Sequence, residues 1–227
     1  MCKENNAALP FVLRGAIFDM DGTLLDSMWI WEQYASQYIC SRGLVPAPGL
    51  DDRLATATIE AAAELLRREY HLPESAAAVV ADIEQTVTRL YERVVPMPGV
   101  MVMLEAFRAA GVCMAVATLT ERADAERVLG RLGILPYLSG IFTCTEVGAP
   151  KTRPDVFDAA LSALGTRRAE TAVFEDAPYA LRTAHAAGFP TVAVGNRAVE
   201  ATYALLTVDD FAAVPWSQYL PKKSAIS

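Results

Sequence analysis

Two rhythms of apolar and polar residues divide this chain. From Pro98 onward, segments with apolar residues every three or four positions take turns with short, almost wholly apolar runs. Helical spacing covers residues 99–110, 121–132, 154–164, 177–187 and about 198–206; residues 112–117, 140–144, 171–174 and 191–194 read as strands. A proline opens the third helical segment and Gly188 closes the fourth. Residues 15–18 form an earlier apolar run, and residues 209–211 are expected to add an edge strand. Repeated strand–helix units predict an α/β fold, a parallel sheet with helices on both faces.

Between residues 26 and 96 the alternation stops. Residues 29–41, 58–70 and 75–93 carry helical spacing with no strand-like run. Gly43-Leu44-Val45-Pro46-Ala47-Pro48-Gly49 separates the first two, and Leu72-Pro73-Glu74 the second pair, leaving Ser75 as an N-cap. The predicted organisation is a catalytic core of residues 1–25 and 96–227 with a helical cap, residues 26–95, inserted after the first strand. A lid in that place would close over the strand's carboxyl end and exclude water.

Composition narrows the function classes. The chain has 227 residues, 53% of them apolar, enough for one large α/β domain with a smaller accessory one. A net charge of −7 offers nothing to nucleic acid or an anionic membrane. Any phosphate site must therefore be locally positive. Cys2, Cys40, Cys113 and Cys144 form no C-x-x-C pair, and His71 and His185 stand apart, which argues against zinc. Cys113 and Cys144 read as small buried hydrophobes, and the cysteine usage fits a reducing, cytoplasmic setting. Residues 1–10 lack the apolar centre of a signal peptide, and no segment has the length of a membrane span.

The first apolar run leads into Asp19-Met20-Asp21-Gly22-Thr23. Acids at i and i+2 of an extended segment share a face, here at the strand end where open α/β sheets hold ligands. Two such carboxylates repel unless a cation separates them or one is protonated. Hard oxygen donors suit Mg²⁺. One acid could then attack a phosphoryl centre while the other handles protons; the plainer reading is a solvated Asp-Gly turn. Thr118, followed by Leu119, ends another strand-like run, where a hydroxyl can hold a phosphate oxygen, although Thr favours strands anyway. Lys151 is the only lysine outside the termini, the others being Lys3, Lys222 and Lys223. Its compact charge can neutralise a phosphate and a carboxylate together, or simply be solvated in its turn. Glu175-Asp176 suit either the oxygen shell of a cation or a helix cap. Taken together, these residues fall at one edge of a parallel sheet with right-handed connections.

The string from Asp19 to Asp26, then Thr118, Lys151 and Glu175-Asp176, resembles the four motifs of the haloacid dehalogenase superfamily of phosphohydrolases, over about residues 15–210. The helical block between the first two motifs, and the return Pro96-Met97-Pro98-Gly99-Val100, are similar to its β-phosphoglucomutase and phosphoglycolate phosphatase branch. The resemblance implies a Rossmann-like core. It implies Asp19 as a nucleophile forming an aspartyl-phosphate, and Asp21 as the group that protonates the leaving oxygen and later activates water. Thr118, Lys151, Gly22 and Leu119 would bind the phosphoryl group, with Lys151 balancing its charge. Mg²⁺ would be held by Asp19, Asp176, the Asp21 carbonyl, and Glu175 directly or through water. Phosphoryl transfer needs positioning and charge neutralisation above all, which suits this set.

The substrate class implied is a small phosphorylated metabolite. In the mutases of that branch a histidine stands where Trp31 aligns, and residues 26–95 contain no lysine; both favour a plain phosphatase over a sugar-phosphate mutase. Metal-binding acids disfavour a dehalogenase. A non-enzymatic phosphate-binding module is the rival from another class. Trp29, Trp31 and Tyr34 read mostly as packing. Arg53 reads either as a contact to a distal anionic group or as a surface ion pair.

Overall fold

The computed structural model describes residues 12–54, 57–195 and 202–221. In chain order its elements are β1 (Gly15–Phe18), β2 (Leu25–Asp26), α1 (Met28–Trp31), α2 (Tyr34–Ser41), α3 (Leu50–Leu54), α4 (Ile59–Glu69), α5 (Ala76–Tyr91), β3 (Val95–Pro96), α6 (Val100–Ala109), β4 (Cys113–Thr118), α7 (Arg122–Arg131), β5 (Ile141–Thr143), α8 (Cys144–Val147), α9 (Asp155–Leu164), β6 (Thr171–Glu175), α10 (Pro178–Ala186), β7 (Thr191–Val194) and β8 (Leu206–Val208). They divide into two compact units, one of Met1–Asp26 and Val95–Ser227, the other of Ser27–Val94.

The first unit is built on a six-stranded sheet in the order β5-β4-β1-β6-β7-β8, every neighbouring pair parallel. β1 and β6 are buried along their whole length, which is why their sequences run apolar without alternation. On one face Ile17, Ala115 and Val173 pack with Val156 and Phe157 of α9 and with Ala180 and Ala184 of α10. Phe18 and Phe174, their ring centroids 4.7 Å apart, belong to a separate aromatic cluster with Phe107 of α6 and Trp216. The Trp216 indole N–H donates to the Phe211 carbonyl at 2.7 Å, so this buried donor is satisfied. β2 and β3 form an antiparallel pair, Leu25 opposite Pro96 and Asp26 opposite Val95.

The second unit is helical. Thr58 and Ser75 cap α4 and α5 by accepting from the Ala61 and Ala78 N–H groups at 3.3 and 3.2 Å. Residues 29–41, expected as one helix, break at Glu32-Gln33, where Gln33 takes a φ of −141°. The break re-aims α2 so that Tyr34, Ala35, Tyr38 and Ile39 are all buried. Asp51, Asp52 and Arg53 lie in the short helix α3. Arg53 reaches both oxygens of Glu69 at 2.8 and 3.0 Å, a surface ion pair.

Three further expectations change in the core. Of the helix expected over residues 198–206, residues 198–201 lie outside the described residues, and Leu206 opens the strand β8. The edge strand is β8 itself, not residues 209–211: Asp210 caps a 3-10 turn over Phe211–Ala213 by accepting from the Ala212 N–H at 2.8 Å. Cys113 is exposed because it is the first residue of β4, at the sheet's amino-terminal rim, while Cys144 is buried as expected.

Candidate active site

The strand β1 delivers Asp19 to the carboxyl edge of the sheet. The Asp19 N–H still donates to the Phe174 carbonyl at 2.9 Å, so the ladder extends one residue beyond the strand. The chain then turns sharply. The Leu24 and Leu25 N–H groups both donate to the Met20 carbonyl, at 3.0 and 2.9 Å, and the Gly22 N–H donates to the Leu25 carbonyl at 2.9 Å. Gly22 has a φ of 80°, a conformation that residues with a Cβ rarely adopt. Met20 and Leu24, both fully buried, anchor the turn.

Lys151 is 2% exposed, so it is not a solvated loop lysine. It arrives by a longer route than a strand end. β5 stops at Thr143, whose hydroxyl caps α8 by accepting from the Glu146 N–H at 3.2 Å, and Gly148 in a left-handed conformation ends that helix. The following turn carries Lys151 inward. Its ammonium contacts Asp19 Oδ1 and donates to Glu175 Oε1 at 2.6 Å. Glu175 is level with Asp19 in the register of β1 and β6, one position past the Phe18–Phe174 pair. Its second oxygen accepts from the Ala177 N–H at 3.1 Å. Burial alone would lower the pKa of Lys151, but the Asp19 and Glu175 carboxylates outweigh it and hold the ammonium charged. For Glu175 burial dominates in the other direction and pushes the carboxyl up to about 8, against the pull of Lys151.

Asp19, Glu175 and Asp176 are all buried and present carboxylate oxygens within 4.8 Å of one another. Three hard anionic oxygens at that spacing fit a small divalent cation such as Mg²⁺, and the cost of burying them together falls when such an ion shares the site. Asp21 stands outside this group. It lies past the end of β1, in the turn that follows Asp19. The half-buried Asp21 instead accepts from the Thr120 hydroxyl at Oδ2, 2.6 Å away. Thr118 is 1% exposed, at the end of β4, and its hydroxyl accepts from the Thr120 N–H at 3.0 Å. Leu119, between them, is exposed. The structure thus joins Asp19, Lys151, Glu175 and Asp176 in one cluster, and links Thr118 to Asp21 through Thr120. Sequence reasoning does not single out Thr120. The available signal is its place two residues after Thr118, the same spacing that draws attention to the acids.

The family model of haloacid dehalogenase-like hydrolases matches residues 13–188. Hexitol phosphatase A of Escherichia coli is 30% identical over 187 residues, 80% of this chain and 82% of that protein. Fructose-1-phosphate phosphatase YqaB of the same organism is 29% identical over 184 residues, 79% of this chain and 95% of that protein. The crystal structure of CbbY from Rhodobacter sphaeroides in complex with phosphate superposes with a TM-score of 0.72 at 21% identity, covering 90% of this chain and 97% of that one. The six-stranded parallel sheet, the matched family model and the run of phosphatase relatives agree, and the chain belongs to the haloacid dehalogenase-like hydrolases as an enzyme of the phosphoric monoester hydrolase type.

Proposed function

We propose that this enzyme is a Mg²⁺-dependent phosphatase of small phosphorylated metabolites, sugar and polyol phosphates first among them, working through an aspartyl-phosphate on Asp19. The observation that carries the reading is the buried Lys151 ammonium between Asp19 and Glu175, beside Asp176. A fixed positive charge there offsets the repulsion between a carboxylate nucleophile and an anionic phosphate. The sugar and polyol preference draws support from the substrates named for the two phosphatase relatives.

In the first half-reaction an Asp19 carboxylate oxygen bonds to phosphorus as the bond to the ester oxygen breaks, and Asp21 gives that oxygen a proton. In the second, Asp21 takes a proton from water as the water oxygen bonds to phosphorus, and the bond to Asp19 breaks to release inorganic phosphate. Thr118, Leu119 and Gly22 line the phosphoryl position, and Lys151 holds Asp19. Asp19, Asp176 and Glu175, with the Asp21 carbonyl, would hold Mg²⁺, which supplies charge neutralisation for the approach of anion to anion. The chain is proposed to work in the cytoplasm, in keeping with free Cys40, Cys113 and Cys144.

Asp19→Asn should abolish hydrolysis of an aryl phosphate while leaving the circular dichroism spectrum and melting profile those of a folded protein. Near wild-type turnover by that variant would remove the covalent route. Asp176→Ala should raise the Mg²⁺ concentration for half-maximal activity by about tenfold or more, the range seen when a metal site loses a supporting group. An unchanged Mg²⁺ titration would remove Asp176 from the metal site.

A further inference from the structure

The loop after β4 contains a residue to which the reading above gives no task. Thr120 hydrogen-bonds both to its neighbour Thr118 and to a group far away in the chain. Its N–H donates to the Thr118 hydroxyl at 3.0 Å, and its own hydroxyl donates to Asp21 Oδ2 at 2.6 Å. Asp21 lies 99 residues earlier, in the turn that follows β1. That turn is rigid, fixed by three backbone hydrogen bonds between Met20 and Leu25. β4 is equally fixed, Val116 lying opposite Phe18. The hydroxyl thus joins these two hydrogen-bonded supports at the Asp21 carboxyl group.

We propose that Thr120 is a positioning residue for the acid–base step, holding the Asp21 carboxyl group in register with the phosphoryl position marked by Thr118. The inference rests on the reading of Asp21 as the acid–base group. A threonine hydroxyl is suited to the task in both protonation states of its partner. It donates one hydrogen bond and accepts others, so it can donate to an ionised Asp21. When Asp21 carries the proton that the leaving oxygen will take, the same hydroxyl can go on donating to Oδ2, leaving a proton on the other carboxyl oxygen free for the ester. No other side chain of similar volume among the aliphatic residues can do either, and valine, the isostere, does neither.

A test separates this role from a structural one by leaving group. The ratio kcat/KM reports the transfer to Asp19, and there an acid matters for a poor leaving group and little for a good one. Thr120→Val is compared with wild type on a primary alkyl phosphate, such as ethyl phosphate, and on 4-nitrophenyl phosphate. The expected loss in kcat/KM is about tenfold to a hundredfold larger for the alkyl ester, part of the roughly 10²–10⁴ that a positioned acid contributes. Thr120→Ser, which keeps the hydroxyl, should restore the alkyl rate to within about threefold of wild type. Equal losses on both esters, or no loss, would overturn the proposal, since a merely structural residue slows both alike. Asp21→Asn in the same comparison isolates the parent reading. If Asp21→Asn shows the leaving-group selectivity and Thr120→Val does not, the role of Thr120 alone fails. If Asp21→Asn shows none, the acid–base assignment of Asp21 fails and takes the Thr120 role with it.

Discussion

Lys151 is held by its partners as much as it holds them. An ammonium 2% exposed survives burial because Asp19 and Glu175 both lie against it. Removing it leaves Asp19, and Glu175 at any pH where it is ionised, buried with no counter-charge. Lys151→Met should therefore lower the stability of the metal-free protein by about 3–5 kcal/mol, the cost of breaking a buried pair from one side. Adding Glu175→Gln to that variant removes an acid that can ionise there and should recover part of the loss at pH above about 8. Urea unfolding of the two single variants and the double variant gives the coupling directly; strictly additive losses would mean that Lys151 and Glu175 do not act as a pair. At this scale the sequence is informative where a residue type is rare. A single internal lysine in a chain that otherwise prefers arginine stands out. Thr120 does not, because hydroxyls are common in loops and only the folded turn after Asp19 brings Asp21 to it.

Elements are legible where their ends carry local signals. Thr58 and Ser75 announce α4 and α5 because a cap acts on residues two or three positions away. The break between α1 and α2 carries no such mark, since it comes from burying Ile30 and four residues of α2 together. β8 is hidden for the same reason: its three residues become a strand only by pairing with β7. One element boundary depends on a long-range contact that a substitution can reveal. Gly99 precedes α6 with a φ of 76°, and a Cβ built there would fall 2.0 Å from the Ala212 nitrogen and 2.7 Å from Asp210 Oδ1. That nitrogen already donates to Asp210 in the turn that covers the aromatic face of the sheet. Gly99→Ala therefore meets both an unfavourable backbone region and a steric clash with main chain. It should cost about 3 kcal/mol or more, above the roughly 1–3 kcal/mol of a strained φ alone. A chemical denaturation midpoint within error of wild type would show that the 3-10 turn yields freely.

At the scale of the molecule, the parallel sheet follows from the alternation of strand and helix patterns, its strand order is supplied by the structure, and the carboxyl edge of that sheet collects most of the residues that the motifs single out. What the alternation does not reveal is the electrostatic cost of gathering them. Glu175 has a folded pKa raised from 4.5 to about 8, chiefly by burial. An acid whose pKa is raised on folding binds its proton more tightly in the folded state than in the unfolded one. Its contribution to stability is therefore present at pH below 4.5 and is lost as pH climbs from there toward about 8. The raised pKa of Lys151 acts in the same direction only above its ordinary value of 10.5, outside that window. The melting temperature of the metal-free protein should accordingly fall as pH is raised from about 5 to 8, and the decline should be shallower in Glu175→Gln, which has no carboxyl group to ionise there. Saturating Mg²⁺ should also flatten the curve, because a cation among Asp19, Glu175 and Asp176 favours the ionised acid that burial opposes. Thermal melts in matched buffers, with chelator and with Mg²⁺, measure all three slopes. A metal-free protein whose melting temperature is level across that range, or a Glu175→Gln variant with an undiminished slope, would mean that the cluster pays no penalty for its buried acid and that the ion is not needed to relieve it.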